Sequence, residues 1–132
     1  MAPFYSLFYL LLGVIVWTLP WVAFHGGLAL VFPDAYAEHG TPTDTRVLAA
    51  GLALAAALSL FAGFLIARLV HARPRLHATL LGALQLALSA SIATQNWSSL
   101  PQAYHVALLG MLLPLHAAGG ALGSRKRRAP TS

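Results

Sequence analysis

The sequence predicts an all-α membrane protein with four transmembrane helices in an up-down bundle, the first of them kinked. Three observations predict this fold class. The chain of 132 residues is 58% hydrophobic and only 8% charged, so it has too few polar side chains to cover a water-soluble globule. Four long stretches without charge reach or exceed the roughly 18–20 residues that cross a hydrocarbon core. The basic residues concentrate at two places between and after these stretches.

The uncharged stretches predict spans at about residues 4–26, 47–67, 77–94 and 104–122. Backbone polar groups in lipid must be paired within the segment, so these stretches are expected to be helices. Pro20 cannot donate to the helical ladder and predicts a kink in the first span, whose outer half Trp17 and Trp21 would anchor at the interface. Residues 25–32 form either a short surface helix or the end of one long span.

The segment of residues 33–46 is the clearly aqueous loop, and it contains all three acids of the chain, Asp34, Glu38 and Asp44. Its Pro, Gly, Asp and Thr residues favour turns, and Asp44 or Thr45 is expected to cap the second helix. The stretch AYAE (35–38) offers the small residues of a signal-peptidase site. The preceding apolar run is much longer than a signal core and begins without Lys or Arg, so we expect the first span to be retained.

The basic residues indicate the orientation. All but Arg46 follow an even-numbered span, namely Arg68, Arg73, Arg75, Arg125, Lys126, Arg127 and Arg128. The positive-inside rule therefore places both termini, including the basic tail 125–132, in the cytoplasm. These side chains are expected to reach lipid headgroups, and recognition of a specific anionic lipid is the alternative. They form no long stripe with interleaved aromatics, so nucleic-acid binding is not expected.

Small and polar side chains indicate which helix faces pack together. Small residues recur every fourth position in the second span and would allow close contact with another helix, in the same bundle or in a partner chain: Ala55, Ser59, Gly63 and Ala67. If this face contacts another chain, the sequence predicts a homo-oligomer or a complex with a partner membrane protein. In the third span Gln85 and Ser89 share a face that should point into the bundle, as structural hydrogen-bonding groups or as a polar step in a pathway.

Histidines are the candidates for chemistry, since the chain has no cysteine. His25 and His105 are expected near the outer boundary, and His77 and His116 in the inner half. This is the arrangement of paired axial ligands for two b-type haems in a four-helix bundle. In the alternative interpretation, His116 bonds to a carbonyl group freed by Pro114. No acid accompanies these histidines in the spans, so we expect no metal site and no cofactor, with haem b kept as a hypothesis.

Two stretches, GFLIARLVHARPRLHATLLGALQLALS (63–89) and QNWSSLPQAYHVALLGMLLPLHAAGGALG (95–123), resemble small bacterial four-span membrane proteins of unassigned function. The resemblance implies the same topology and no activity. The sequence therefore predicts a non-enzymatic interaction or accessory protein of the inner membrane. A small transporter or channel subunit acting as a homo-oligomer is the second hypothesis, haem-based electron transfer the third and a membrane enzyme the last.

Overall fold

A computed structural model describes residues 3–38 and 40–125, and this part of the chain is helical with no β-strand. Its long helices are α1 (Pro3–Val31), α2 (Thr45–Leu69), α3 (Pro74–Gln95) and α4 (Gln102–Arg125), with single 3-10 turns at Pro33–Ala35 and Trp97–Ser99. All four helices are long and apolar enough to span a membrane, and they pack together. The predicted all-α, four-span fold is confirmed.

The helices extend beyond the predicted spans because hydropathy marks only their apolar parts. α1 continues to Val31, so residues 25–31 end one long helix and do not form a separate surface helix. α2 already begins at Thr45, where the Asp44 carboxylate accepts a 2.7 Å hydrogen bond from the Arg46 backbone N–H. The same oxygen also accepts from the Val47 N–H at 3.4 Å, so the cap satisfies two of the free N–H groups at the helix start. The predicted loop 33–46 is correspondingly shorter.

Pro20 lies inside α1, and the helix continues through it without interruption. Proline lacks the N–H that would bond to the carbonyl group of Val16, and its ring crowds that position. The axis bend expected there stays a prediction.

α2 and α4 run parallel and form the most extensive helix contact in the bundle. Two glycines allow the backbones to touch, since a Cβ atom at Gly63 would collide with the carbonyl oxygen of His116, and one at Gly119 would collide with that of Leu60. The small-residue face of α2 is buried inside the bundle along its whole length, at Ala55, Ser59, Gly63 and Ala67. Of the two contacts expected for this face, the structure has the one within the bundle.

α1 is the least enclosed helix of the bundle. It packs mainly against α2 and contacts α3 over a smaller area. Its remaining surface exposes large apolar side chains that suit contact with lipid, including Phe4, Phe8, Leu11, Ile15 and Leu19. This limited contact leaves a space between the halves of α1 and α3 nearest to residues 33–46, which is the end of the bundle that the sequence predicts to be the outer one.

The loop between α2 and α3, which the sequence predicts on the inner side, consists of residues 70–73 only. Arg73 has a left-handed backbone, with φ of 52°, directly before Pro74, which is the first residue of α3. Proline disfavours right-handed helical angles at the preceding residue, but it favours extended angles there, so the left-handed conformation of Arg73 is not the one that Pro74 predicts. The guanidinium Nε of Arg75 donates a 3.0 Å hydrogen bond to Ser124 near the end of α4. The ends of α2 and α4 and the start of α3 therefore lie on the same side.

Candidate ligand-binding cavity

A cavity of about 570 Å³ lies between the outer halves of α1, α3 and α4. This volume falls in the range typical of small-molecule sites. The α1 wall includes Trp17, Trp21 and His25, and the α3 wall includes Gln85 and Ser89. Two apolar side chains at its sides, Val22 and Ile92, are 58% and 63% exposed. Their exposure indicates a lateral opening toward the surface that faces lipid.

A small hairpin covers the outer end of the cavity. Tyr36 forms an isolated antiparallel bridge with Pro42, and the Ala37 N–H donates to the Thr41 carbonyl group at 2.8 Å. The turn requires the positive φ of 74° at Gly40, a conformation that glycine adopts without steric cost. Because Gly40, Thr41 and Pro42 all line the cavity, the loop predicted to be aqueous forms a folded cover over it.

One hydrogen bond fastens this cover to α1. The Tyr36 hydroxyl and His25 Nδ1 lie 3.0 Å apart. Partial burial raises the pKa of the Tyr36 phenol above its ordinary value of 10.0, so the hydroxyl keeps its proton at neutral pH. The other ring nitrogen of His25 faces α2, since a Cβ atom at Gly51 would lie 3.1 Å from His25 Nε2. His25 therefore holds the cover and directs neither nitrogen freely into the cavity.

Aromatic rings form the α1 wall. Trp17 and Trp21 are stacked with ring centroids 5.3 Å apart, and the Trp17 indole N–H donates a 3.0 Å hydrogen bond to the buried Ser59 hydroxyl of α2. Sequence reasoning assigned both tryptophans to the interface. The four-residue spacing of Trp17, Trp21 and His25 was the available signal for a continuous aromatic face.

Besides His25 Nε2, which faces α2, two polar atoms of the cavity wall have no hydrogen-bond partner in the protein. Gln85 is 3% exposed and His105 is 2% exposed, and neither Gln85 Oε1 nor His105 Nε2 has a hydrogen-bond partner. Each such group costs several kcal/mol, roughly, in a lipid environment. Gln85 and Ser89 line the same cavity, so the shared inward face predicted for them is present, but no protein partner satisfies the Gln85 oxygen.

The ring of His105 is held by stacking. It lies 4.6 Å from the Trp97 ring at an interplanar angle of 10°, and Trp97 belongs to the 3-10 turn before α4. All three tryptophans of the chain, Trp17, Trp21 and Trp97, are therefore in the cavity wall or stacked on it. The stacking of Trp97 on His105 was not predicted, because the two residues are eight positions apart and a turn lies between them.

The inner histidine pair does not fit a haem. His77 Nδ1 lies 3.1 Å from the Arg73 carbonyl oxygen, and His77 Nε2 lies 3.1 Å from the Ser6 hydroxyl. Both ring nitrogens are thus engaged, and neither is free to bind iron. On the outer side, His25 Nε2 and His105 Nε2 both lack a hydrogen-bond partner in the protein, and His25 Nε2 is packed against Gly51. For the outer pair, His25 and His105, haem binding stays a prediction.

His116 is completely buried where α2, α3 and α4 meet. Its Nδ1 bonds to the Leu112 carbonyl oxygen at 2.7 Å, and its Nε2 has no partner. The expected bond to a carbonyl group is present, but the carbonyl group that Pro114 frees is that of Gly110, four residues before the proline. His116 bonds to the carbonyl oxygen four residues before itself instead.

The remaining predicted residues lie at the inner end of the bundle. Arg68, Arg73, Arg75 and Arg125 are exposed there, and Lys126, Arg127 and Arg128 lie outside the described residues. Within residues 3–38 and 40–125, no three His, Asp or Glu side chains are grouped closely enough to hold a metal ion.

Comparison of the chain with protein-family models, with curated proteins and with solved structures found no match.

Proposed function

We propose that this chain is a non-enzymatic accessory protein of the bacterial inner membrane that binds an uncharged amphiphile from the bilayer. The observation that carries this proposal is the cavity, which combines a lateral opening with buried polar atoms that no protein group satisfies. Buried polar groups in proteins are nearly always hydrogen-bonded. A ligand that supplies the missing bonds accounts for them.

The composition of the wall supports a binding role rather than catalysis. Among the described residues that line the cavity, none is Asp, Glu, Lys or Arg. The ring of His105 contacts Trp97 and Tyr104, so no carboxylate is in place to orient the ring as a general base.

The charge distribution supports the proposed orientation. The exposed Arg68, Arg73, Arg75 and Arg125 are at the end of the bundle opposite to the hairpin with Asp34 and Glu38. The positive-inside rule then favours cytoplasmic termini and a cavity in the outer half of the membrane. The same arginines are suited to anionic lipid headgroups on the inner side. The resemblance to small bacterial four-span proteins favours the inner membrane.

A transporter subunit is the second candidate, favoured by the polar side chains that α1, α3 and α4 all contribute to the cavity. Transport by so small a bundle would require a homo-oligomer. Flux of an amphiphile across liposomes, dependent on this protein and saturable in the amphiphile, would distinguish transport from binding.

The binding function is tested by tryptophan fluorescence, because all three tryptophans report on the cavity. The probe is the methyl ester of a dibrominated fatty acid, which is uncharged, has no hydroxyl donor and quenches indole on close contact. We expect saturable quenching of the purified protein in detergent. Ser89→Phe, which fills the cavity, should abolish the saturable component, whereas Ser91→Phe on the exposed face of α3 should retain it. Quenching without saturation, equal in both variants, would refute the proposal.

A further inference from the structure

The chemistry of the missing hydrogen bonds narrows the class of ligand. Gln85 Oε1 accepts hydrogen bonds and is buried without a donor. Because this atom has almost no accessible surface, a ligand bonds to it once the Gln85 amide group turns toward the cavity, and the ligand must carry an O–H or N–H group. Because none of the described lining residues is Asp, Glu, Lys or Arg, a charged headgroup would enter the cavity without compensation and at high cost. The donor therefore belongs to an uncharged group.

The shape of the wall favours a flat ring. Trp17 and Trp21 form a stacked pair on one side, and the stacked rings of Trp97 and His105 bound the outer end. Aromatic rings pair best with other rings, in offset-stacked or edge-to-face arrangements, and gain energy beyond that of simple burial.

The register of α3 against α4 places the two polar groups at different depths. A Cβ atom at Gly82 would contact Leu113, and one at Gly120 would contact Ala78, so Gln85 is level with about residue 112 of α4. His105 is then about 10 Å nearer to the outer end, at 1.5 Å per residue. A ligand with its donor at Gln85 lies along the cavity below the hairpin. An attached chain would leave between Val22 and Ile92, the exposed apolar side chains at the opening.

We infer that the cavity binds an uncharged amphiphile with a hydroxylated ring, as in an alkylphenol or a hydroquinone lipid, whose hydroxyl donates to Gln85 Oε1. This inference rests on the proposed binding function. It goes further by naming the ligand class and the residue that selects it.

A pair of matched probes tests the hydroxyl: a brominated alkylphenol and its methyl ether, which has the same ring and chain but no donor. Both are titrated against the tryptophan fluorescence of the purified protein. Leaving a buried acceptor unsatisfied costs about 1–3 kcal/mol, so the phenol should bind roughly tenfold more tightly than the ether. In Gln85→Leu the ratio of the two dissociation constants, ether to phenol, should fall to nearly one. The matched control is Gln95→Leu, since Gln95 is exposed on the same helix and outside the cavity, and it should keep the preference.

The outcomes separate this inference from the proposed function. If the phenol and the ether bind equally to the wild-type protein while the brominated ester still binds saturably, the cavity takes amphiphiles without selecting a hydroxyl, and the inference fails alone. A phenol preference that survives in Gln85→Leu also overturns it. If no probe binds saturably, both proposals fail. Saturable binding of the ester to Gln85→Leu verifies that this variant is folded.

Discussion

Trp17 of α1 and Ser59 of α2 are joined by a buried hydrogen bond of 3.0 Å from the indole N–H to the hydroxyl oxygen. It connects the least enclosed helix to the small-residue face of α2, and it fixes one of the stacked tryptophans of the cavity wall. The bond therefore links the stability of the bundle to the geometry of the cavity.

We expect this bond to be measurable in a double-mutant cycle with Trp17→Phe and Ser59→Ala. Interhelical hydrogen bonds in membrane proteins contribute about 0.6 kcal/mol on average and about 1.7 at most. The coupling free energy of unfolding in mixed micelles should fall in this range. A coupling free energy of zero would mean that the two groups do not interact in the membrane-inserted protein.

Gly63 should tolerate no side chain, because a Cβ atom there meets the backbone of His116. We expect Gly63→Ala to lower the free energy of unfolding by about 1–3 kcal/mol, the usual cost of overpacking. Gly110→Ala is the matched control, since a Cβ atom there meets nothing within 4 Å. It should be neutral or stabilising by up to about 1 kcal/mol, because alanine is the better helix former. Equal effects at the two glycines would contradict the close contact of α2 and α4.

The Tyr36 hydroxyl should hold the hairpin closed over the cavity. In Tyr36→Phe we expect faster hydrogen exchange at the Ala37 and Thr43 amides, which are hydrogen-bonded within the hairpin. Tyr5→Phe, at an exposed tyrosine of α1, serves as the control and should change nothing there.

The pH dependence of this contact follows from the raised pKa of Tyr36. The neutral phenol is favoured in the folded hairpin, so its contribution is fully present below the ordinary tyrosine pKa of 10.0 and is lost as the pH rises above it. If the Ala37 and Thr43 amides of the wild-type protein lost their protection from hydrogen exchange already at neutral pH, this assignment would be wrong.

The orientation is tested by cysteine labelling in intact cells, since the chain has no native cysteine. A membrane-impermeant maleimide should label Glu38→Cys in the hairpin and should label a cysteine added after Ser132 only once the cells are opened. Replacing Arg68, Arg73 and Arg75 by Asn should weaken this preference and give a mixture of orientations. Labelling of both positions from outside in the wild-type background would overturn the proposed topology.

Composition and hydropathy were sufficient to predict the four spans, because lipid exposure imposes a strong constraint on side-chain polarity. The spacing of Ala55, Ser59, Gly63 and Ala67 also indicated a packing face, although not which helix would cover it. The cavity could not be predicted, since it depends on how far α1 and α3 separate, and hydropathy carries no information on that distance. The hydrogen bond between His77 and Ser6 was missed for a related reason, because it joins residues 71 positions apart.

The central claim is that the cavity between α1, α3 and α4 holds an uncharged amphiphile in the cell. Native mass spectrometry of the protein, released from its own membrane in mild detergent, tests this claim most directly. We expect the wild-type chain and Ser91→Phe to retain a neutral small molecule that Ser89→Phe lacks. A wild-type chain that carries no such molecule, or a molecule retained equally when Ser89→Phe fills the cavity, would contradict the account.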